Sequence, residues 1–389
     1  IIKVAEAEGL VSSKAQTYEF NIATGGTCSI FLPHEFYQAI TEGGDVSQWC
    51  LSPEIVAGQQ GLAALLREWA DDMSVQFAGD LSSVGVLGLH CDGVQYTSTM
   101  RAGGAKSILV GSLNVISAAS AELRYKRQPL FVLRKKRLCQ CGCQGFHTIQ
   151  QIMEVVAWSF GHLASGVAPS HRHDGSPWTT KDQVARLPSG QPLRRAALLQ
   201  VRGDWEWLEQ CFRFRSVNSE SFCWMCEAVQ RLSGPLDFKD FRPDAPHRAT
   251  LISHQQYMMR CAGEGSQPSH LFQCPGFKIE HVAVDAMHAG DLGTFADAVG
   301  SIFWLECTHK PWHRTQAAGL LSLNQDLENY YGAQPDRQFS KLSPIVWSQI
   351  RSKSVGYPFL QAKAAHATQL AEVRLALTLR LQHAHAHPP

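Results

Sequence analysis

Two aspartates stand at the ends of apolar, strand-like runs, and such a pair can do divalent-metal chemistry. Asp92 closes the run that begins at Val84, and Asp204 closes the run that begins at Ala196. A carboxylate at a strand's exposed end is held at a fixed distance from one on a neighbouring strand. Two of them can hold metal ions about 3.5–4 Å apart, the arrangement that drives phosphoryl transfer. Mg²⁺ or Mn²⁺ suits the pair, because hard cations take carboxylate and water oxygens. The pattern points to cutting or joining of nucleic acid. The plainer reading is that both residues merely end strands, where Asp commonly opens a turn.

Other residues offer a softer metal chemistry. Cys139, Cys141, Cys143 and His147 put three thiols and an imidazole within nine positions. Zinc binds such sulfur and nitrogen donors tetrahedrally, so a structural zinc knuckle is expected. Cys223 and Cys226 form a Cys-x-x-Cys pair, half of a second zinc site. Its other ligands are sought among His247, His254, Cys261, His270 and Cys274, or in the 139–147 cluster. Two unconnected thiols are the alternative. Close thiol spacing in a chain of this length favours metal or free thiols over disulfides. His171, His173 and Asp174 lie in a polar loop, expected near the acid pair, that suits phosphate, metal or simple packing equally. Asp285 and His288 share a helix face at i, i+3 spacing. They read either as an orienting pair or as a helix-start acid with a core histidine.

The residues from Arg124 to Arg137 include Arg124, Lys126, Arg127, Arg134, Lys135, Lys136 and Arg137, with no acid. A basic stripe of this kind suits phosphate-backbone contacts, with Arg134, Lys135, Lys136 and Arg137 as the DNA-binding candidates. A solvated face or a localisation signal is the bland alternative. Net charge is only +1 over 389 residues, so any polyanion binding must come from a local patch.

The elements that must position these groups follow from hydrophobic periodicity. Residues 83–133 read as three strands, the first ending at Asp92. Ile149, Ile152, Met153, Val156, Phe160 and Leu163 mark a helix over 148–165. A strand ending at Asp204 follows, and a helix opens at Trp205. An RNase H-like core has this order, with its first and fourth strands side by side. The expected class is therefore α/β, an RNase H-like mixed sheet flanked by helices, with a zinc-binding, loop-rich insertion. The expected divisions are a helical or irregular segment over 1–80 and the core over 81–214. The Cys/His-containing insertion spans 215–280 and the helical remainder of the core 281–375. A disordered, His-rich tail fills 376–389. Ser52 is placed as the cap of a helix through Leu62, Leu65, Leu66 and Trp69. No apolar run reaches the ~18 residues of a membrane span. A start at Ile1 rather than Met is what a piece of a longer protein would show.

Taken in order, these pieces resemble the DDE-type DNA transposases with an RNase H-like core, particularly the CACTA-like group. Asp92 follows a first strand, Gly203-Asp204 a fourth, and Cys223-x-x-Cys226 comes after. Asp285-x-x-His288 matches the group's Asp-x-x-His element. The resemblance covers residues 83–370, and the 139–147 cluster is an addition to it. It implies Mg²⁺- or Mn²⁺-dependent DNA cleavage and strand transfer in the nucleus, by a chain that can self-associate. Asp92, Asp204, Asp285 and His288 fall at the catalytic positions. The group's third acid is a Glu on a late helix, yet His366 stands in the best local match, Gln361-Ala-Lys-Ala-Ala-His366. Glu306, Glu328 and Glu372 are the substitutes, none with matching surroundings. That departure suggests a decayed copy. Two alternatives remain: an inactive, zinc-stabilised DNA-binding or interaction protein, and an unrelated zinc hydrolase using His171, His173 and Asp174 with the cysteines.

Overall fold

The computed structural model describes residues 16–42, 60–72, 79–96, 106–118, 127–230, 234–308, 315–333, 344–350 and 358–361. The chain divides into two compact units, Ile1–Ala283 and Val284–Pro389.

The first unit is built on a seven-stranded mixed sheet. Its strands are β1 (Thr17–Asn21), β2 (Thr27–Phe31), β3 (Gly85–Gln95), β4 (Ser107–Val115), β5 (Gln128–Arg134), β6 (Ala196–Gly203) and β7 (Val282–Val284). The spatial order is β1-β2-β5-β4-β3-β6-β7. Neighbours from β1 through β3 are antiparallel, and β3 runs parallel to β6. The first part of β3 is covered on both faces, which is why it reads as an unbroken apolar run. Leu87, Leu89 and Cys91 point into the main core, whereas Val84 and Val86 point into a smaller cluster on the other face.

Helices cover both faces. On the main-core side lie α1 (Pro33–Thr41) and the 20-residue α3 (Phe146–Ser165). The six apolar positions that mark α3 in the sequence are all buried. The helix stops at Gly166, whose φ of +73° suits glycine and whose N–H donates back to the His162 carbonyl. On the opposite side α2 (Gln60–Asp71) buries Leu66 and Trp69 against Val84, Val86 and Leu199. The short α4 (Thr180–Ala185) begins with a Thr179/Asp182 capping box, and α5 (Trp205–Phe212) follows β6 directly. Residues 215–280 hold 3₁₀ turns and α6 (His254–Gly263).

Three expectations need correction. Residues 1–80 carry the β1–β2 hairpin, which extends the sheet through β5, as well as helices; Ser52 lies outside the described residues. Residues 281–375 are not simply the helical remainder of the core, because the chain divides within β7, after Ala283. The insertion, 215–280, was expected to bind zinc, but among the described residues it holds no converging Cys/His group; the group that converges, Cys139 to His147, lies between β5 and α3.

The second unit, taken by itself, contains a π-helical stretch (Met287–Thr294), α7 (Phe295–Thr308), α8 (Gln316–Gly332) and α9 (Trp347–Ile350). Phe303, Leu323, Leu327 and Ile350 share its core. Asn324 binds the backbone of Ile345 in both directions, at 3.0 and 2.7 Å. The tail 376–389 lies outside the described residues. Among the described residues no helix is long and apolar enough to cross a membrane.

Candidate functional site

β3 and β6 pair in parallel with Cys91 opposite Gly203. Asp92 and Asp204 each follow that last pair, so they emerge side by side. Each offers a carboxylate oxygen within 4.8 Å of the other, which is the ordinary spacing of neighbouring strands. Both are half-buried. Asp204 also caps α5, accepting the Trp207 N–H at 2.8 Å. Its place is therefore set by a helix start as well as a strand end.

Gly203 makes the close approach possible. A Cβ there would stand 2.5 Å from the Cys91 carbonyl oxygen and 2.8 Å from the Trp207 indole. Spacing in the sequence does not reveal this role; a glycine directly ahead of a strand-end acid is the only signal. Cys91 is fully buried, and burial first, then Cys211 and the two aspartates, push its thiol far up. It stays a neutral thiol and does not compete as a ligand. Within the first unit the donor set is thus two carboxylates, which suits Mg²⁺ or Mn²⁺.

Among the described residues no further carboxylate of the first unit joins the pair. Glu306 and Glu328 lie on α7 and α8 of the second unit, half-buried and exposed respectively. Glu372 and His366 lie outside the described residues. Within the second unit Asp285 is buried, and the His288 Nδ1 lies 2.8 Å from its Oδ2. The expected pairing of these two exists, with the acid as the buried member.

Cys139, Cys141, Cys143 and His147 form a second cluster, with one ligand atom from each within 4.8 Å of all the others. Cys139 Sγ is 2.9 Å from Cys143 Sγ and 3.7 Å from Cys141 Sγ, and Cys141 Sγ is 3.3 Å from His147 Nδ1. A Zn–S length of ~2.3 Å puts tetrahedral sulfurs about 3.8 Å apart. The four atoms therefore approximate a zinc tetrahedron, with one edge to open. The loop turns back on Gly142 and Gly145, at φ of +88° and +90°, which glycine adopts freely. Gly145 leads into α3, and His147 projects from its first turn.

Cys223 and Cys226 place their sulfurs 3.4 Å apart, but no third Cys, His, Asp or Glu joins them among the described residues. Three of the five proposed partners are otherwise occupied or fully buried. The His254 Nδ1 accepts from Ile279, the His270 Nδ1 lies 3.1 Å from the Gln150 carbonyl, and burial pushes the Cys274 thiol far up. Among the described residues the second zinc site is therefore incomplete. The 171–178 loop is also not where it was expected. His173 Nδ1 bonds the Tyr18 hydroxyl on β1 at 2.6 Å, and β2, β5 and β4 separate β1 from β3. Arg172 meets Asp182, and Asp174 accepts from Ser176. This loop stands at the sheet's far edge, away from the acid pair.

The basic run divides by role. Lys135 pairs with Glu206 at 2.7 Å. Arg137 donates to the Thr27 carbonyl at 2.9 Å and its own carbonyl accepts from Thr24. Arg134, Lys136 and Arg137 line one cleft of about 400 Å³.

No protein-family model matches this chain, and no curated protein sequence matches it significantly.

Proposed function

We propose that the first unit is an RNase H-like domain of the DDE-transposase kind, acting on DNA phosphodiesters with Mg²⁺ or Mn²⁺. The observation that carries the reading is the meeting of Asp92 and Asp204 within 4.8 Å at the ends of adjacent parallel strands. The strand order supports it. An antiparallel set, β5-β4-β3, is followed by a parallel fourth strand, β6, and then β7. A divalent ion at such a pair activates the attacking oxygen and stabilises the leaving one during in-line displacement. The chain's own contribution is positional. Asp92 and Asp204 supply the oxygen donors, and α5 fixes the second through its cap.

A second reading rests on a specific observation as well. No third carboxylate of the first unit stands beside the pair among the described residues, while the Cys139–His147 cluster suits zinc without help. On that reading the chain is a zinc-stabilised DNA-binding protein that holds metal at the aspartates but does not turn over. One assay separates the two. Mn²⁺-dependent nicking of supercoiled plasmid, lost in Asp92→Asn and in Asp204→Asn, is expected from an active site. Mn²⁺ binding without nicking selects the second reading, and nicking that survives both substitutions sinks the first.

A further inference from the structure

The register of the sheet links the acid pair to the basic cleft across one face. Asp92 lies opposite Val110 on β4, and Val110 lies opposite Val132 on β5. One step along, Val94 is level with Ile108, and Ile108 with Arg134. Residues paired this way, and residues two apart on a strand, point to the same face. Asp92, Val94, Ile108, Val110, Val132 and Arg134 therefore share a surface. That surface is open: Val94 is 43% exposed and Val132 38%, and Ile108 and Val110 are only half-buried. At its β5 side it meets the cleft formed by Arg134, Lys136 and Arg137 with Thr27 and Ser29 of β2. Among the described residues three cations and two hydroxyls line the cleft, and no acid does.

We infer that this face is a nucleic-acid track. In it the cleft holds the phosphate backbone two strands away from Asp92, with Arg134 and Lys136 as its phosphate contacts. This rests on the reading of Asp92 and Asp204 as the end of the track where chemistry occurs. Two strand spacings are roughly 10 Å, about three steps of a duplex at ~3.4 Å each. A backbone seated in the cleft thus reaches the aspartates within one short stretch. The exposed valines and isoleucine between give bases or sugars an uncharged floor. Charge complementarity selects the occupant, since a cleft with several cations and no anion suits a polyanion.

The neighbouring basic residues have other work. Glu206 neutralises Lys135. Arg137 lines the cleft, but its guanidinium is tied to the Thr27 carbonyl and packs where a Gly26 Cβ would be. It ties the Lys135–Arg137 turn to the β1–β2 hairpin. On the other side the turn runs straight into Cys139, so metal at the cysteine cluster would anchor it at both ends. Four consecutive cations, alike in sequence, are thus assigned three different roles.

The test is the salt dependence of binding of a mixed 30-base-pair duplex, and of its single strand, to the whole chain without free divalent ions. Each lost phosphate contact lowers the log–log slope by about 0.9 on duplex, equivalent to roughly eightfold weaker binding at 0.1 M salt. Arg134→Ala and Lys136→Ala should each show that loss, the double variant twice the slope change, and Lys135→Ala none. Circular dichroism and zinc content should not change in any of the three. An equal slope loss in Lys135→Ala, or an unchanged slope in the double variant, overturns the assignment. So does a wild-type chain with no salt-dependent binding, or equal competition by polyglutamate, which would mark an acidic protein as the occupant. Mn²⁺ binding by the same variants, against Asp92→Asn, keeps the two readings apart. Mn²⁺ held by the aspartates with an unchanged slope in the double variant sinks the track alone. A correct slope pattern with no Mn²⁺ at the aspartates sinks the metal site and leaves the track standing.

Discussion

Asp204→Asn should make the metal-free protein more stable while removing its response to metal. The two carboxylates lie within 4.8 Å. At that separation like charges repel by about 3.5 kcal/mol at an effective dielectric of ~20, and by about 0.9 kcal/mol in bulk water. Both groups are half-buried, so relief of roughly 1–3 kcal/mol is expected when one charge goes. The cap is kept, because Asn accepts the Trp207 N–H about as well as Asp does. For a unit of this size the gain is a rise in Tm of about 2–8 °C. The assay is thermal unfolding in buffer freed of loose divalent ions without stripping bound zinc, repeated with Mn²⁺. Wild type should gain about 2.7 kcal/mol at a hundredfold excess over Kd, and Asp204→Asn should gain almost nothing. Asp204→Ala should fall about 1 kcal/mol below Asp204→Asn, the cost of the lost cap. A lowered Tm for Asp204→Asn without metal, or a full Mn²⁺ response in it, would refute the repulsion argument and the shared site with it.

The chain should carry one zinc, lost in Cys143→Ser and kept in the Cys223→Ser, Cys226→Ser double variant; atomic-absorption stoichiometry decides, and two zincs per wild-type chain would contradict it. Gly203→Ala should cost about 1–3 kcal/mol by overpacking against Cys91 and Trp207, and should weaken Mn²⁺ binding with both aspartates intact. Calorimetry showing wild-type affinity there would mean the strand approach does not set the site. Burial holds the His281 imidazole down at about 4, against 6.5 for a free one. Between those values the unfolded chain takes up a proton that the folded chain refuses. Stability is therefore full above pH 6.5 and falls by about 3 kcal/mol on going down to pH 4. Urea midpoints at pH 7.5 and 5 should show about 2 kcal/mol of that fall, reduced in His281→Asn; an unchanged pH dependence in the variant would clear His281 of the effect.

Where burial is two-sided or periodic, the sequence could be read directly. The apolar runs before Asp92 and Asp204 are β3 and β6, and the 3.6-residue pattern from Ile149 to Leu163 is the buried stripe of α3. The meeting of the two aspartates was legible only through the resemblance to an RNase H-like core, which implies that the strands carrying them are neighbours, as β3 and β6 are. The β1–β2 hairpin was not, though Tyr18, Phe20, Cys28 and Ile30 alternate with exposed positions around Gly25-Gly26. Its strands are five residues each, too short for alternation to stand out. Thiol partnerships were legible only at short range. Cys139, Cys141, Cys143 and His147 converge because one tight loop carries them, whereas no spacing told that Cys223 and Cys226 would find no third ligand among the described residues. The separation of the 171–178 loop from Asp92 depends on strand order across the sheet, which local pattern does not encode. The same is true of the different duties of Lys135 and Arg134.

The spacing of the two carboxylates is that of hydrogen-bonded neighbours on β3 and β6, and the length of the long excursion between those strands, residues 96–195, does not measure it. Lengthening a surface loop costs little free energy, since closure entropy grows only with the logarithm of length. The exposed turn at Gly175, on the far edge of the sheet, is one place where extra chain could be spliced in without disturbing the acid pair. Replacing either aspartate by glutamate is the opposite case. It keeps the charge but moves the oxygens by about one bond, ~1.5 Å, against a strand pairing that cannot follow. The molecule should thus accept an inserted module of many residues more readily than one added carbon.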